Sequence, residues 1–365
     1  MASMQHWPEP VTPVQAISEA GFEKIPDCYI KPVNERPLNA KQAGNCTDRA
    51  KLVRVPVVDL KGLSSSNLAT YQATVEAIST ACREWGLFQV VNHGVNVDLV
   101  NNVKDSWRGF FCLPTENKQV YANSPITYEG YGSRLGVEKG AILDWGDYFF
   151  LSLLPAHTKT CYDKWPVEPI SCRETTEEYS AELLKLCKTL MTALSMALGL
   201  EAEKLQEEFG AGDYIDVGFR VNYYPKCPQP DLTLGLSSHS DPGGLTILLA
   251  DEHVAGLQVN KDGGWVTVKP APNAFIINIG DQIQVLSNGI FKSVEHRVVV
   301  NAEQDRLSLA LFYNPRSDVP LGPLPALLSL DSPPLYQPMT FNDYRMYIRK
   351  NGPRGKTQVE SVKVV

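Results

Sequence analysis

Beyond Gly218 the chain breaks into short runs of β-branched and apolar residues separated by turn residues. This texture limits the fold more than any other feature. The runs fall at 219–224, 234–238, 246–249, 257–259, 265–268, 274–279, 282–286, 293–300 and 306–313. So many short strands at regular spacing predict a β-sandwich or barrel. Upstream the pattern differs. Residues 53–60 and 85–94 read as strands, whereas 68–84, 98–112 and 175–198 repeat apolar positions every three or four residues, as helices do. Asn67 is placed to cap the first of these helices, Pro114 to follow the second and Gly199 to end the third. The expected organisation is an N-terminal arm (1–50, with a short helix over 14–20), a helical and β region (51–210), a β core (211–330), and a closing helix and loose tail (331–365).

Two of the predicted strands carry His239-Ser240-Asp241 and the distant His296. Side chains two apart on a strand share a face. Two imidazoles and one carboxylate make the donor set of a facial triad, which holds a non-haem ferrous ion and leaves its other side open. Without a thiolate in the set, a structural zinc or blue-copper site is disfavoured. Arg306-Leu307-Ser308 adds a guanidinium fork and a hydroxyl on one strand face, a fitted receptor for a carboxylate. The plainer alternative makes the histidines core residues and Arg306 a surface ion pair, and must explain each match separately.

Bulk properties exclude several classes. A net charge of −7 over 365 residues gives no electrostatic footprint for nucleic acid or an anionic membrane. No segment has the roughly 18 apolar residues that a membrane span needs, and the first ten residues lack the pattern of a signal peptide. Eight cysteines without CxxC spacing fit reduced thiols. The expected location is the cytoplasm, with nuclear access, and no obligatory protein partner is expected.

These motifs, in this order, resemble the plant 2-oxoglutarate- and Fe(II)-dependent dioxygenases, and so does the run Asn222-Tyr223-Tyr224-Pro225-Lys226-Cys227-Pro228. The resemblance implies a double-stranded β-helix (jelly-roll) core with flanking helices. It implies Fe(II) on His239, Asp241 and His296, and 2-oxoglutarate gripped by Arg306 and Ser308 and contacted by Asn222 and Tyr224. It also implies O2 as oxidant and ascorbate as reductant. The reaction class would be hydroxylation coupled to decarboxylation of 2-oxoglutarate to succinate.

Residues 127–139, with Leu143-Asp144-Trp145 and Asp147-Tyr148, are similar to the jasmonate-induced oxygenases, which convert jasmonic acid to 12-hydroxyjasmonic acid. Such a substrate needs a cation for its carboxylate and apolar walls for its ring and tail. Arg220 shares a strand face with Asn222. Arg345 and Arg349 share a face of the closing helix with Phe341. Phe312 shares parity with Arg306 and Ser308, and Phe150 lies on a strand over 148–153. The alternative for these residues is solvated helix charge and ordinary core. Two other functions stay open: a flavonoid oxidase similar to anthocyanidin synthase or flavonol synthase, and a catalytically silent jelly roll that binds a small acid.

Overall fold

The computed structural model describes residues 6–37, 54–155, 164–210 and 214–364. In chain order the helices are α1 (Val14–Glu19), α2 (Leu68–Glu84), α3 (Val97–Phe111), α4 (Thr115–Gln119), α5 (Ser171–Ala197), α6 (Lys204–Phe209), α7 (Asp281–Leu286), α8 (Phe341–Asn351) and α9 (Thr357–Glu360). The strands are β1 (Val57–Asp59), β2 (Leu87–Val91), β3 (Gly130–Gly132), β4 (Asp147–Leu154), β5 (Asp216–Tyr224), β6 (Leu236–His239), β7 (Leu245–Leu249), β8 (Leu257–Lys261), β9 (Gly264–Thr267), β10 (Phe275–Ile279), β11 (His296–Val298), β12 (Arg306–Asn314), β13 (Pro320–Leu321) and β14 (Met339–Thr340).

Eight strands form one sheet in the order β1-β2-β10-β7-β12-β5-β4-β3, and four form a second in the order β6-β11-β8-β9. Apart from the parallel β1–β2 pair, the pairings in both sheets are antiparallel. Together the sheets make the double-stranded β-helix.

Strand parity divides the large sheet between two jobs. Odd positions of β5 and β12 (Val217, Phe219, Val221, Leu307, Leu309, Leu311) join the main core under α3 and α5. There Trp107 packs against Phe149 and Phe219, and Tyr179 packs against Phe219. Truncating a fully buried tryptophan such as Trp107 costs about 3–5 kcal/mol. Even positions face the space between the sheets. Because the β5–β12 register places Tyr224, Asn222, Arg220 and Gly218 opposite Arg306, Ser308, Ala310 and Phe312, these side chains stand on one face. In the same way β4 sets Tyr148 and Phe150 opposite Asn222 and Arg220.

Helix α2 begins where the sequence places it, with the Asn67 side chain accepting from the backbone N–H groups of Ala69 and Thr70. Four expectations are corrected. Residues 282–286, expected as a strand, belong to α7. All six residues of that helix are buried, so apolar content carries no periodicity to separate the two forms. The first strand covers only residues 57–59 of the expected 53–60. Residues 51–53 lie outside the described residues, and Pro56, which has no N–H to donate, immediately precedes the strand. Residues 85–94 pair only over Leu87–Val91, since Asn92 has positive φ and ends the strand. Finally, the tail is not loose: α9 buries Gln358 and Val359, and Val362 is buried beyond it.

Candidate active site

The two expected ligand histidines meet across the second sheet. His239 on β6 and His296 on β11 are direct register partners, with ring centroids 4.3 Å apart. Asp241 lies just past the end of β6 rather than on it, because Pro242 and the Gly243-Gly244 pair turn the chain there. Its Oδ1 nevertheless lies 3.7 Å from His239 Nε2 and 3.6 Å from His296 Nε2. The three donor atoms fall within 4.8 Å of one another.

Hydrogen bonds orient all three groups. His239 Nδ1 is 2.8 Å from the Ser237 carbonyl and His296 Nδ1 is 3.2 Å from the Val294 carbonyl. A carbonyl only accepts, so each Nδ1 carries the proton and each Nε2 lone pair faces the cluster. Asn278 Nδ2 donates to Asp241 Oδ2 at 3.1 Å, leaving Oδ1 toward the imidazoles. Burial, and then the neighbouring His296 ring, hold the His239 imidazole well below its ordinary value. Burial would raise Asp241, but the neighbouring His296 and His239 rings, together with hydrogen bonds from Thr246 and Asn278, outweigh it and hold the carboxyl below its ordinary value. Two imidazoles and a carboxylate, preoriented and nearly dry, fit one divalent ion of the ferrous type.

Next to this cluster is a cavity of about 60 Å³ whose lining includes Asn222, Tyr224, Arg306 and Ser308 as well as the three donors. Arg306 is buried, and its guanidinium meets only neutral acceptors: the Val254 carbonyl at 3.2 Å, Ser308 Oγ at 3.5 Å and the Tyr224 hydroxyl. Burial pulls its pKa below the ordinary arginine value. Asp251 is the nearby carboxylate that acts on this cation, but no hydrogen bond joins the two, so the guanidinium is left to receive an anion from the cavity.

A second cavity of about 190 Å³ opens from the same cluster, sharing His239 and Asp241. All six expected substrate residues line it: Arg220, Arg345, Arg349, Phe150, Phe312 and Phe341. Arg220 lies over the Tyr148 ring at 4.1 Å, and its buried Nε lacks a hydrogen-bond partner. Arg349 lies over Tyr128 at 5.5 Å, and burial, then Arg345, lower its pKa. The Phe150 ring occupies space that Gly218 leaves free: a Cβ there would meet the ring at 2.7 Å.

Sequence reasoning missed two participants. Asp216 lines the same cavity and accepts from Arg345 Nη1 at 2.8 Å. It has the parity of Arg220 and Asn222 on β5, so strand alternation could have found it. Asn278, which orients Asp241, gave no signal.

Residues 215–315 match the 2OG-Fe(II) oxygenase superfamily, and residues 55–168 match the N-terminal region of the non-haem dioxygenase in morphine synthesis. The chain is 55% identical to jasmonate-induced oxygenase 2 of Arabidopsis thaliana, over 98% of this chain and 95% of that one. It is 39% identical to flavonol synthase 1 of Crocosmia x crocosmiiflora, over 91% of this chain and 96% of that one. Among solved structures, that of JOX2 in complex with 2OG, Fe and JA superposes with a TM-score of 0.90 at 53% identity, covering 99% of this chain and all of the other. The chain is therefore a 2-oxoglutarate- and Fe(II)-dependent dioxygenase, using Fe(II), 2-oxoglutarate and O2, and it belongs to the plant jasmonate-induced oxygenase group of the 2OG-Fe(II) oxygenase superfamily.

Proposed function

We propose that this chain hydroxylates jasmonic acid to 12-hydroxyjasmonic acid, lowering the active jasmonate pool and damping jasmonate-mediated defence. One observation carries the reading. The cavity beside the triad combines three arginines with three phenylalanines, and the similar JOX2 structure contains 2OG, Fe and JA. In this reading His239, Asp241 and His296 hold the iron. Arg306 and Ser308 receive the far carboxylate of 2-oxoglutarate, with Asn222 and Tyr224 beside it. When bound, the iron and its co-substrate supply the oxidising chemistry that converts 2-oxoglutarate to succinate and carbon dioxide while a C–H bond becomes an alcohol.

The protein's own part is binding, orientation and exclusion of water. Arg220, Arg345 and Arg349 receive the jasmonate carboxylate. Phe150, Phe312 and Phe341 cover its ring and tail and keep the space next to the triad dry. Ascorbate serves as reductant and the cytoplasm, with nuclear access, as location; among the described residues no helix is long and apolar enough to cross a membrane. Three guanidiniums around one apolar pocket count against a neutral polyphenol substrate, despite the resemblance to flavonol synthase. They also count against a silent acid binder, which has no need of the triad.

The test is succinate release from 2-oxoglutarate with jasmonic acid, with a dihydroflavonol, and with neither. Stimulation by jasmonic acid alone is expected. Stimulation by the flavonoid alone, or by neither compound, would overturn the assignment.

A further inference from the structure

Helix α8 carries Phe341, Arg345 and Arg349 into the substrate cavity, and of its eleven residues Phe341 and Tyr344 are the buried ones. Phe341 is a wall of the cavity. Tyr344 is the other anchor, and it reaches the triad from behind. Its hydroxyl donates to Asp281 Oδ2 at 2.7 Å, and the same oxygen accepts from Ser240 Oγ at 3.1 Å. Ser240 lies between His239 and Asp241, and the Asp281 backbone N–H donates to the Asp241 carbonyl at 2.8 Å. All three side chains are at most 3% exposed. One buried carboxylate thus joins the acid-binding helix to the segment that bears two of the three metal donors.

A second, independent tie runs through the backbone. The chain leaving α8 returns to β6, where Gly355 N–H donates to the Ser238 carbonyl at 2.7 Å and Ser240 N–H donates to the Gly355 carbonyl at 3.3 Å. Gly355 therefore bridges to His239 as an extra edge residue of the second sheet. Substrate cations and metal ligands are clasped together on both sides of α8.

We infer that Tyr344 and Asp281 are positioning residues that couple occupancy of the acid pocket to the metal site. An acid held by Arg345 and Arg349 fixes α8, and α8, through Tyr344, Asp281 and Ser240, fixes the metal-bearing turn. Linkage makes the effect reciprocal: jasmonic acid tightens metal binding by the factor by which metal tightens jasmonic acid binding. The inference rests on jasmonic acid as the ligand of that pocket.

The test is an anaerobic Fe(II) titration of the full chain with 2-oxoglutarate present, with and without jasmonic acid. A separate measurement gives jasmonic acid affinity for the metal-free protein. The native chain should bind Fe(II) at least about fivefold more tightly when jasmonic acid is present. Tyr344→Phe and Asp281→Asn should bring that ratio close to one, with metal-free jasmonic acid affinity changed less than about fivefold, the smaller end of an ordinary coupling.

Tyr336→Phe is the control. It removes the nearby bond from Gln284 Nε2 to the Tyr336 hydroxyl, 2.9 Å long, while the Tyr344 and Ser240 hydrogen bonds to Asp281 stay in place, and should keep the ratio. A ratio near one in the native chain, an unchanged ratio in both variants, or an equal loss in Tyr336→Phe would each overturn the inference. If the native chain binds no jasmonic acid at all, the proposed substrate fails first and this coupling with it.

Discussion

His239 and His296 stand opposite each other in the β6–β11 pair, so one antiparallel register aligns two proposed ligand side chains that are 57 residues apart in sequence. Each ring is then oriented by the backbone carbonyl two residues before it, Ser237 for His239 and Val294 for His296. Since only Asp241 completes the donor set, His239→Ala or Asp241→Ala should abolish iron retention and turnover while the fold persists. Metal analysis of purified variants checks this, and a variant that keeps stoichiometric iron would refute the assignment.

The same burial predicts a pH effect on the metal-free chain. His239 resists protonation in the fold, whereas in the unfolded chain it takes a proton near pH 6.5. Below that value the unfolded state binds more protons, so stability falls as the pH drops. Urea unfolding of the metal-free protein between pH 7 and 5 should show the loss. His239→Gln should flatten it, and an equal slope in the variant would assign the loss to other groups.

Arg345 is held by Asp216 at 2.8 Å and has a buried Nε without a partner. Arg345→Ala should weaken jasmonic acid binding by about 1.5–3 kcal/mol, as expected for a charge-assisted hydrogen bond, and leave 2-oxoglutarate affinity nearly unchanged. Binding titrations of the two ligands separate the cases. If both weaken together, this arginine serves the fold or the co-substrate cavity instead.

Gly218→Ala should act through Phe150. The new methyl would press on the ring at 2.7 Å, and either the strand or the ring must shift, at a cost of about 1–3 kcal/mol. A ring pushed into the 190 Å³ cavity would raise the KM for jasmonic acid more than that for 2-oxoglutarate. Equal kinetics with an unchanged melting temperature would show that the contact is easily relieved.

Much of this was legible in the residues because strand parity is a strict code. Even positions along β5 and β12 (Arg220, Asn222, Tyr224, Arg306, Ser308, Phe312) could be assigned to one face before any fold was known, and the register brings them together. Capping was equally legible at Asn67. Legibility failed where burial is complete or where tertiary contact alone decides. In α7 every residue is buried, so the helix leaves no polar stripe. The tail after α8 has an unremarkable polar sequence, and tertiary contacts order it, among them its bridge to His239 and the burial of Gln358, Val359 and Val362. Asp216 shares the parity of Arg220 and Asn222, but its partner Arg345 lies 129 residues away on a helix, so the sequence does not show the pair. The ion pair with Arg345 shows how the pocket holds a guanidinium in place.

The most direct test of the central claim is a product balance. Purified chain is supplied with Fe(II), 2-oxoglutarate, O2, ascorbate and jasmonic acid, and succinate and hydroxylated product are quantified together. Equal amounts of succinate and 12-hydroxyjasmonic acid are expected. Succinate formed at the same rate without jasmonic acid, with no 12-hydroxy product, would contradict the claim.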